Sequence, residues 1–126
     1  MPTIYVSVNG NSTNLRLRDS EGNNPGNDQL TTTVNPNDTV IWEVDPTPPP
    51  GANAIYCIDN VYKKPNNDPN NITLLTGNPS NQGNGVFQAT VVATSPGSGK
   101  QESYNIDYQI TAGSSVLTDD PKLQMN

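Results

Sequence analysis

The sequence predicts an all-β protein, an antiparallel two-sheet β-sandwich. Three observations carry this. Apolar residues recur at every second position in several separate segments, the repeat of a strand buried on one face. Gly-, Pro- and Asn-rich turn signals separate those segments at sandwich spacing. Only 31% of the 126 residues are hydrophobic, which suits two thin layers that each turn one face inward. The same patterning argues against disorder, the other reading of a polar, Pro/Gly-rich chain. No amphipathic helix of useful length is visible. The expectation is seven to nine strands in a single domain over residues 1–126, a size that fits one domain.

Ile4, Val6 and Val8 alternate with Thr3, Tyr5 and Ser7, and Asn9-Gly10 follows as a turn signal. Leu15 and Leu17 alternate with Arg16 and Arg18 in a second short strand. Residues 20–28 are rich in Gly, Asn and Pro and form a loop. Leu30, Thr32 and Val34 mark a third strand. Asn35-Pro36-Asn37-Asp38 is a turn in which Pro fixes φ and the Asx side chains cap the local backbone. The strongest strand is 39–44. Val40, Trp42 and Val44 share one face and Ile41 lies on the other, which predicts a central strand anchored in the core by Trp42.

The proline-rich stretch 45–51 is a stiff extended connection. Residues 54–59 form a strand with Tyr56 and Ile58 on one face and Ile55 and Cys57 on the other. A long polar segment runs from Tyr62 to Asn84, broken by Pro65, Pro69 and Pro79, with 72–75 as its one apolar patch. Asn84-Gly85 leads into a strand over 86–94 with Phe87, Ala89, Val91 and Ala93 on one face. Residues 102–111 show the cleanest alternation, with Tyr104, Ile106, Tyr108 and Ile110 inward. A last short strand covers 122–125.

Composition narrows the function. The chain has no histidine, the usual general base near neutral pH and the commonest metal ligand, which excludes most hydrolase triads and most catalytic zinc and copper sites. A net charge of −6 argues against nucleic-acid partners. Cys57 is the single cysteine, so the chain holds no internal disulfide, which favours a reducing compartment. Alternation begins directly after Met1-Pro2 instead of an apolar signal core, and no segment approaches the length of a membrane span. The expectation is a cytoplasmic protein that does not insert into membranes.

Two resemblances follow from these motifs. Val34-Asn35-Pro36-Asn37-Asp38-Thr39-Val40-Ile41-Trp42, with the later Tyr104-x-Ile106-x-Tyr108 strand, resembles the cupredoxin-like sandwich, although Asn37 stands where that family usually has Gly. Asn tolerates the left-handed conformation such a turn needs. The family's copper site requires histidines, so the resemblance implies the fold without the copper ligands and without electron transfer. The order of Ile4-x-Val6-x-Val8, Asp38-Thr39-Val40-Ile41-Trp42-Glu43-Val44-Asp45, Gly85-x-Phe87-x-Ala89-x-Val91, Tyr104-x-Ile106-x-Tyr108 and Asp119-Asp120-Pro121-Lys122-Leu123 is similar to bacterial inclusion-body proteins of the AidA/PixA type. That resemblance implies a small sandwich that accumulates in assemblies, and it brings no catalytic motif.

The candidate sites are few. Asp19, Glu21 and Asp28 fall in one Asn-rich loop that could offer calcium the about six to eight oxygen ligands it takes. The EF-hand pattern fails there, since Asn24 and Leu30 occupy its Gly and Glu positions. The ordinary role of such residues is to cap turns. Tyr62, beside the long polar segment, is the candidate for stacking on a sugar ring; Tyr5 and Trp42 are weaker candidates. Asp45, Asp59 and Asp68 are isolated. Asp119 and Asp120 are adjacent, so on a strand they point to opposite faces and cannot act as a catalytic pair. Gly97-Ser98-Gly99-Lys100 lacks the flanking residues of a phosphate loop. Cys57, without a base to activate it, is an inert residue.

The expected architecture is thus cupredoxin-like or immunoglobulin-like. The expected function is a non-enzymatic structural protein that self-associates as a homo-oligomer or ordered assembly. The alternative is a carbohydrate-binding, lectin-like module that uses calcium or needs no cofactor.

Overall fold

A computed structural model describes residues 2–64 and 71–126. The loop breakers Pro65 and Pro69 and the carboxylate Asp68 lie outside the described residues. The described chain is all-β, with no helix. Its strands are β1 (Thr3–Asn9), β2 (Leu15–Asp19), β3 (Thr31–Val34), β4 (Thr39–Val44), β5 (Ala52–Ala54), β6 (Cys57–Lys63), β7 (Ser80–Asn81), β8 (Phe87–Thr90), β9 (Gln101–Gln109), β10 (Leu117–Asp119) and β11 (Lys122–Met125). One sheet runs β2-β1-β4-β8-β7, with β5 also on β1. The other runs β10-β9-β11-β3, with β6 also on β9.

Eleven strands among the described residues exceed the expected seven to nine. The excess is in β5, β7 and β10, each of two or three residues. Such pieces are too short to show a repeat. Nor are the sheets purely antiparallel. β1 runs parallel to β4, with Thr3 opposite Ile41, and β3 runs parallel to β11, with Thr31 opposite Lys122. Period-two patterning fixes which face a side chain takes but carries no information on the direction of the neighbouring strand.

The two inner faces form one core. Ile4, Val6, Leu15, Leu17, Val40 and Trp42 come from the first sheet, and Val34, Tyr104, Ile106, Leu123 and Met125 from the second; all are fully buried. Trp42 and Tyr104 join the layers. Their rings meet edge-to-face at 5.3 Å, and Trp42 Nε1 donates to Tyr104 Oη at 3.0 Å. This satisfies the indole N–H that burial would otherwise strand. Trp42 is the core anchor, and β4 is a central strand between β1 and β8.

Turn chemistry explains how the strands connect. Asn37 has φ 67°, Asn35 N–H donates to Asp38 Oδ2 at 2.9 Å, and Asp38 N–H donates to Asn35 O at 3.1 Å. Asn84 and Gly85 both have positive φ, as the tight hairpin between β7 and β8 demands. The expected strand over 54–59 is broken: β5 belongs to the first sheet and β6 to the second, so the chain changes layer at Ile55-Tyr56. That crossing resets the alternation. Ile55 is buried and Tyr56 is 59% exposed, the reverse of the pairing of Tyr56 with Ile58. The strand over 86–94 ends at Thr90, where Val91 N–H turns to Asp38 O and Val92 N–H to Leu74 O.

Candidate functional site

Most polar chemistry in the fold lies at strand ends, where an alternating strand runs on into an acidic residue. Asp19 continues the inward phase of Leu15 and Leu17 and is buried. Its carboxylate accepts bonds from Glu21 N–H, Asn23 N–H, the Asn23 amide and Thr32 Oγ1, the last at 2.7 Å. It is the hub of the 20–28 loop, tying that loop to β2 and β3. Glu21 is exposed and Asp28 is half-buried. The expected calcium ligands Asp19, Glu21 and Asp28 are not gathered around one point. Among the described residues no group of three His, Cys, Asp or Glu side chains is arranged to hold a metal ion.

The 20–31 segment shapes an open groove of ≈ 420 Å³ lined by Gly22, Asn23, Asn24, Pro25, Gln29, Leu30 and Thr31. Beside it, sharing Gln29, Leu30 and Thr31, lies a smaller cavity of ≈ 60 Å³ reaching Asp28, Asp120 and Lys122. Asp119, the last residue of β10, is half-buried and lies close enough to Asp28 for that acid to act on it. Burial is the largest influence on Asp119. The Asp120 N–H at 2.8 Å works against it, while Asp28 and the charge of Asp120 add to it; together they push its pKa up to about 7. Asp120 lies beyond the end of β10 and is exposed, whereas Asp119 is half-buried. Tyr108 closes this region from β9. Its hydroxyl donates to Thr13 O at 2.7 Å, and burial, with the charges of Asp119 and Asp28, pushes its pKa up to about 12.

Tyr62 lies on the outer face of the second sheet and is half-buried. Its hydroxyl donates to Asp107 Oδ1 at 3.1 Å, and Thr118 Oγ1 donates to the same oxygen at 2.6 Å. The ring thus leans across β9 as part of a network joining β6, β9 and β10. Lys64 and Asp120 form an exposed ion pair at 2.8 Å near the same strands. Cys57 is half-exposed on β6, with Gln109 Oε1 at 3.6 Å. Burial and the Asp59 charge raise its thiol against a bond from Gln109, which disfavours the reactive thiolate.

Two further clusters escaped the sequence. Arg18 Nε and an Nη donate to the two oxygens of Asp45 at 2.6 and 2.7 Å, with the guanidinium carbon 4.4 Å from the Tyr5 ring centroid. Burial opposes ionisation of Asp45, but the Arg18 bonds, the Thr47 N–H and the Arg18 charge together hold it below the usual carboxylate range. Tyr5 is occupied by this cation and does not stand free for a ligand. Glu102, fully inward on β9, accepts from Leu74 and Leu75 N–H at 2.8 and 3.0 Å and pairs with Lys63 Nζ at 3.1 Å. Lys63 also donates to Leu75 O. Glu102 thereby anchors the apolar patch that the sequence placed at 72–75. A signal for it existed, since Glu102 is in phase with Tyr104, Ile106 and Tyr108.

No protein-family model matches this chain, and no curated protein matches it. No helix of the described residues is long and apolar enough to cross a membrane.

Proposed function

We propose that the protein is a non-enzymatic structural module that associates with copies of itself. One observation carries the reading. Tyr56 and Val116, 59% and 49% exposed, are the large apolar side chains that the described surface leaves open, and both flank the same end of β9. Tyr56 N–H donates to Gln109 O and Ile110 O, while Val116 directly precedes β10, whose Leu117 pairs with Tyr108. The two residues therefore stand on either side of that end of β9, and exposed apolar groups of this kind are what a second copy would cover. Asp19, Asp45 and Glu102 support the non-enzymatic part, because each has its oxygens engaged in holding loops. The likeness to inclusion-body sandwiches and to a cupredoxin-like fold without copper ligands agrees with this reading. Sedimentation equilibrium tests it. We expect concentration-dependent association in the wild type that Tyr56→Ser with Val116→Ser removes; a wild type that stays monomeric at high concentration overturns it.

The second reading is carbohydrate binding, favoured by the amide-lined groove. Its volume lies in the ligand range of about 300–1,000 Å³. The Asn24 amide and the amide oxygens of Asn23 and Gln29 supply donors and acceptors, and Pro25 an apolar surface. A glycan array with and without EDTA decides it. Binding that Asn24→Ala with Gln29→Ala removes supports the groove; no binding in either condition ends the reading.

A further inference from the structure

Two Asn-Gly steps occur in the chain, Asn9-Gly10 and Asn84-Gly85. At such a step a chain can attack itself, because glycine has no Cβ to hinder the approach of its main-chain nitrogen to the preceding side-chain amide. Both steps lie at turns beside a strand, and the fold holds them very differently.

Asn9-Gly10 is tied at both reacting groups. The Asn9 amide donates to Gly26 O at 2.8 Å, and Gly10 N–H donates to Gly51 O at 2.8 Å. Asn9 is half-buried and ends β1, a strand that pairs with β2, β4 and β5. At Asn84-Gly85, neither the Asn84 amide nor Gly85 N–H has a hydrogen-bond partner among the described residues. Asn84 is exposed, and no atom lies within 4 Å of where a Cβ on Gly85 would sit. The turn is closed by Gln82 N–H to Val86 O at 2.8 Å and Val86 N–H to Gly83 O at 3.1 Å. Its left-handed φ values, 55° at Asn84 and 76° at Gly85, must relax before the nitrogen reaches the amide carbon. β7, which supports the turn, consists of two exposed residues and pairs with β8 alone, so that opening is local and of low cost.

We propose that Asn84-Gly85 is a self-modification site of the folded protein, and that two hydrogen bonds protect Asn9-Gly10 from the same chemistry. The Gly85 nitrogen loses its proton and bonds to Asn84 Cγ. The bond from Cγ to Nδ2 breaks, and the side-chain nitrogen leaves with that proton as ammonia. Water then opens the cyclic imide. Cleavage between the Gly85 nitrogen and Cγ leaves an aspartate at position 84. Cleavage between that nitrogen and the main-chain carbonyl carbon leaves an isoaspartate, whose main chain runs through the former side chain. Either product adds a negative charge to a net charge of −6. The isoaspartate also lengthens the main chain of a tight turn, which then cannot hold Asn81 opposite Phe87 and Ser80 opposite Gln88. Ageing of the protein therefore begins at the β7 edge. The inference rests on neither functional reading above.

The test holds the protein at mildly alkaline pH, natively folded and in denaturant. Both Asn-Gly peptides are followed by mass spectrometry after digestion, and ammonia is measured in the same samples. We expect acid forms to appear about tenfold faster at position 84 than at position 9 in the native protein, and the two rates to converge in denaturant. Amide-exchange protection of Gln82 should fall in the isolated isoaspartyl form and persist in the aspartyl form. Equal native rates, faster reaction at position 9, a contrast that persists unchanged in denaturant, or an Asn84 that stays an amide in the native protein overturns the proposal. Protection of Gln82 that survives in the isoaspartyl form overturns its effect on the hairpin.

Discussion

Asp45 and Asp119 are two carboxyls drawn out of water into opposite electrostatic surroundings. Arg18 ties the turn after β4 to β2 through Asp45, whereas Asp119 at the end of β10 has the acids Asp28 and Asp120 as its neighbours. The pH signs follow. Asp45 has a lowered folded-state pKa, so its stabilisation is present above the unfolded carboxylate range and is lost as pH falls through the folded value. Asp119 has a raised one, so its stabilisation is complete below the unfolded value, near 3.8, and is lost as pH rises through about 7. One protein thus carries an acid-labile tie and a base-labile carboxyl, and the sign is set by the partner, not by burial alone.

The largest expected effect sharpens this contrast with a third carboxylate. Glu102→Ala strands two buried N–H groups and leaves Lys63 unpaired, and should cost about 3–5 kcal/mol in chemical denaturation. Next, Asp45→Asn should cost about 2 kcal/mol near neutral pH, with the deficit shrinking as pH falls and wild-type Asp45 itself protonates. A deficit that stays constant down to acidic pH would break the assignment of the acid-labile tie. Thr32→Val removes one donor to the Asp19 hub and should cost about 1.5 kcal/mol, read by thermal unfolding. The smallest effect is the most telling. Asp119→Asn should change stability by less than about 1 kcal/mol at mildly acidic pH, yet it should abolish the loss that the wild type shows on approaching neutrality. A wild-type profile with no such loss would dissolve the comparison.

The layers of the fold were legible because strand alternation is a local signal. Leu15/Leu17, Val40/Trp42 and Tyr104/Ile106/Tyr108 each took the predicted inward face. The turn at Asn35–Asp38 was legible for the same reason, since its capping bonds span a few residues. The inward roles of two acids were missed by stopping the count at the last apolar residue: Asp19 and Glu102 each occupy the next inward position of their strands, whereas Asp119 lies on β10, too short to show a repeat. Chemical type outweighed phase in the reading, whereas in the fold phase decides direction and the site must then accommodate the charge. The change of layer at Ile55-Tyr56 and the parallel pairings had no local signal at all. They depend on where distant segments land, as do the contact of Arg18 with Asp45 and the nearness of Asp28 to Asp119.

The rims of the sandwich carry a final consequence. The outer side of β2 is stitched to the 20–28 loop through Leu17 and Asp19 N–H, and β6 is interrupted by an irregular register at Asp59, an exposed charge. Neither offers the flat, open backbone that templates fibrils. Should copies associate as proposed, contact along these two edges would therefore run through side chains and leave thioflavin dark, with each barrier of main-chain pairing intact.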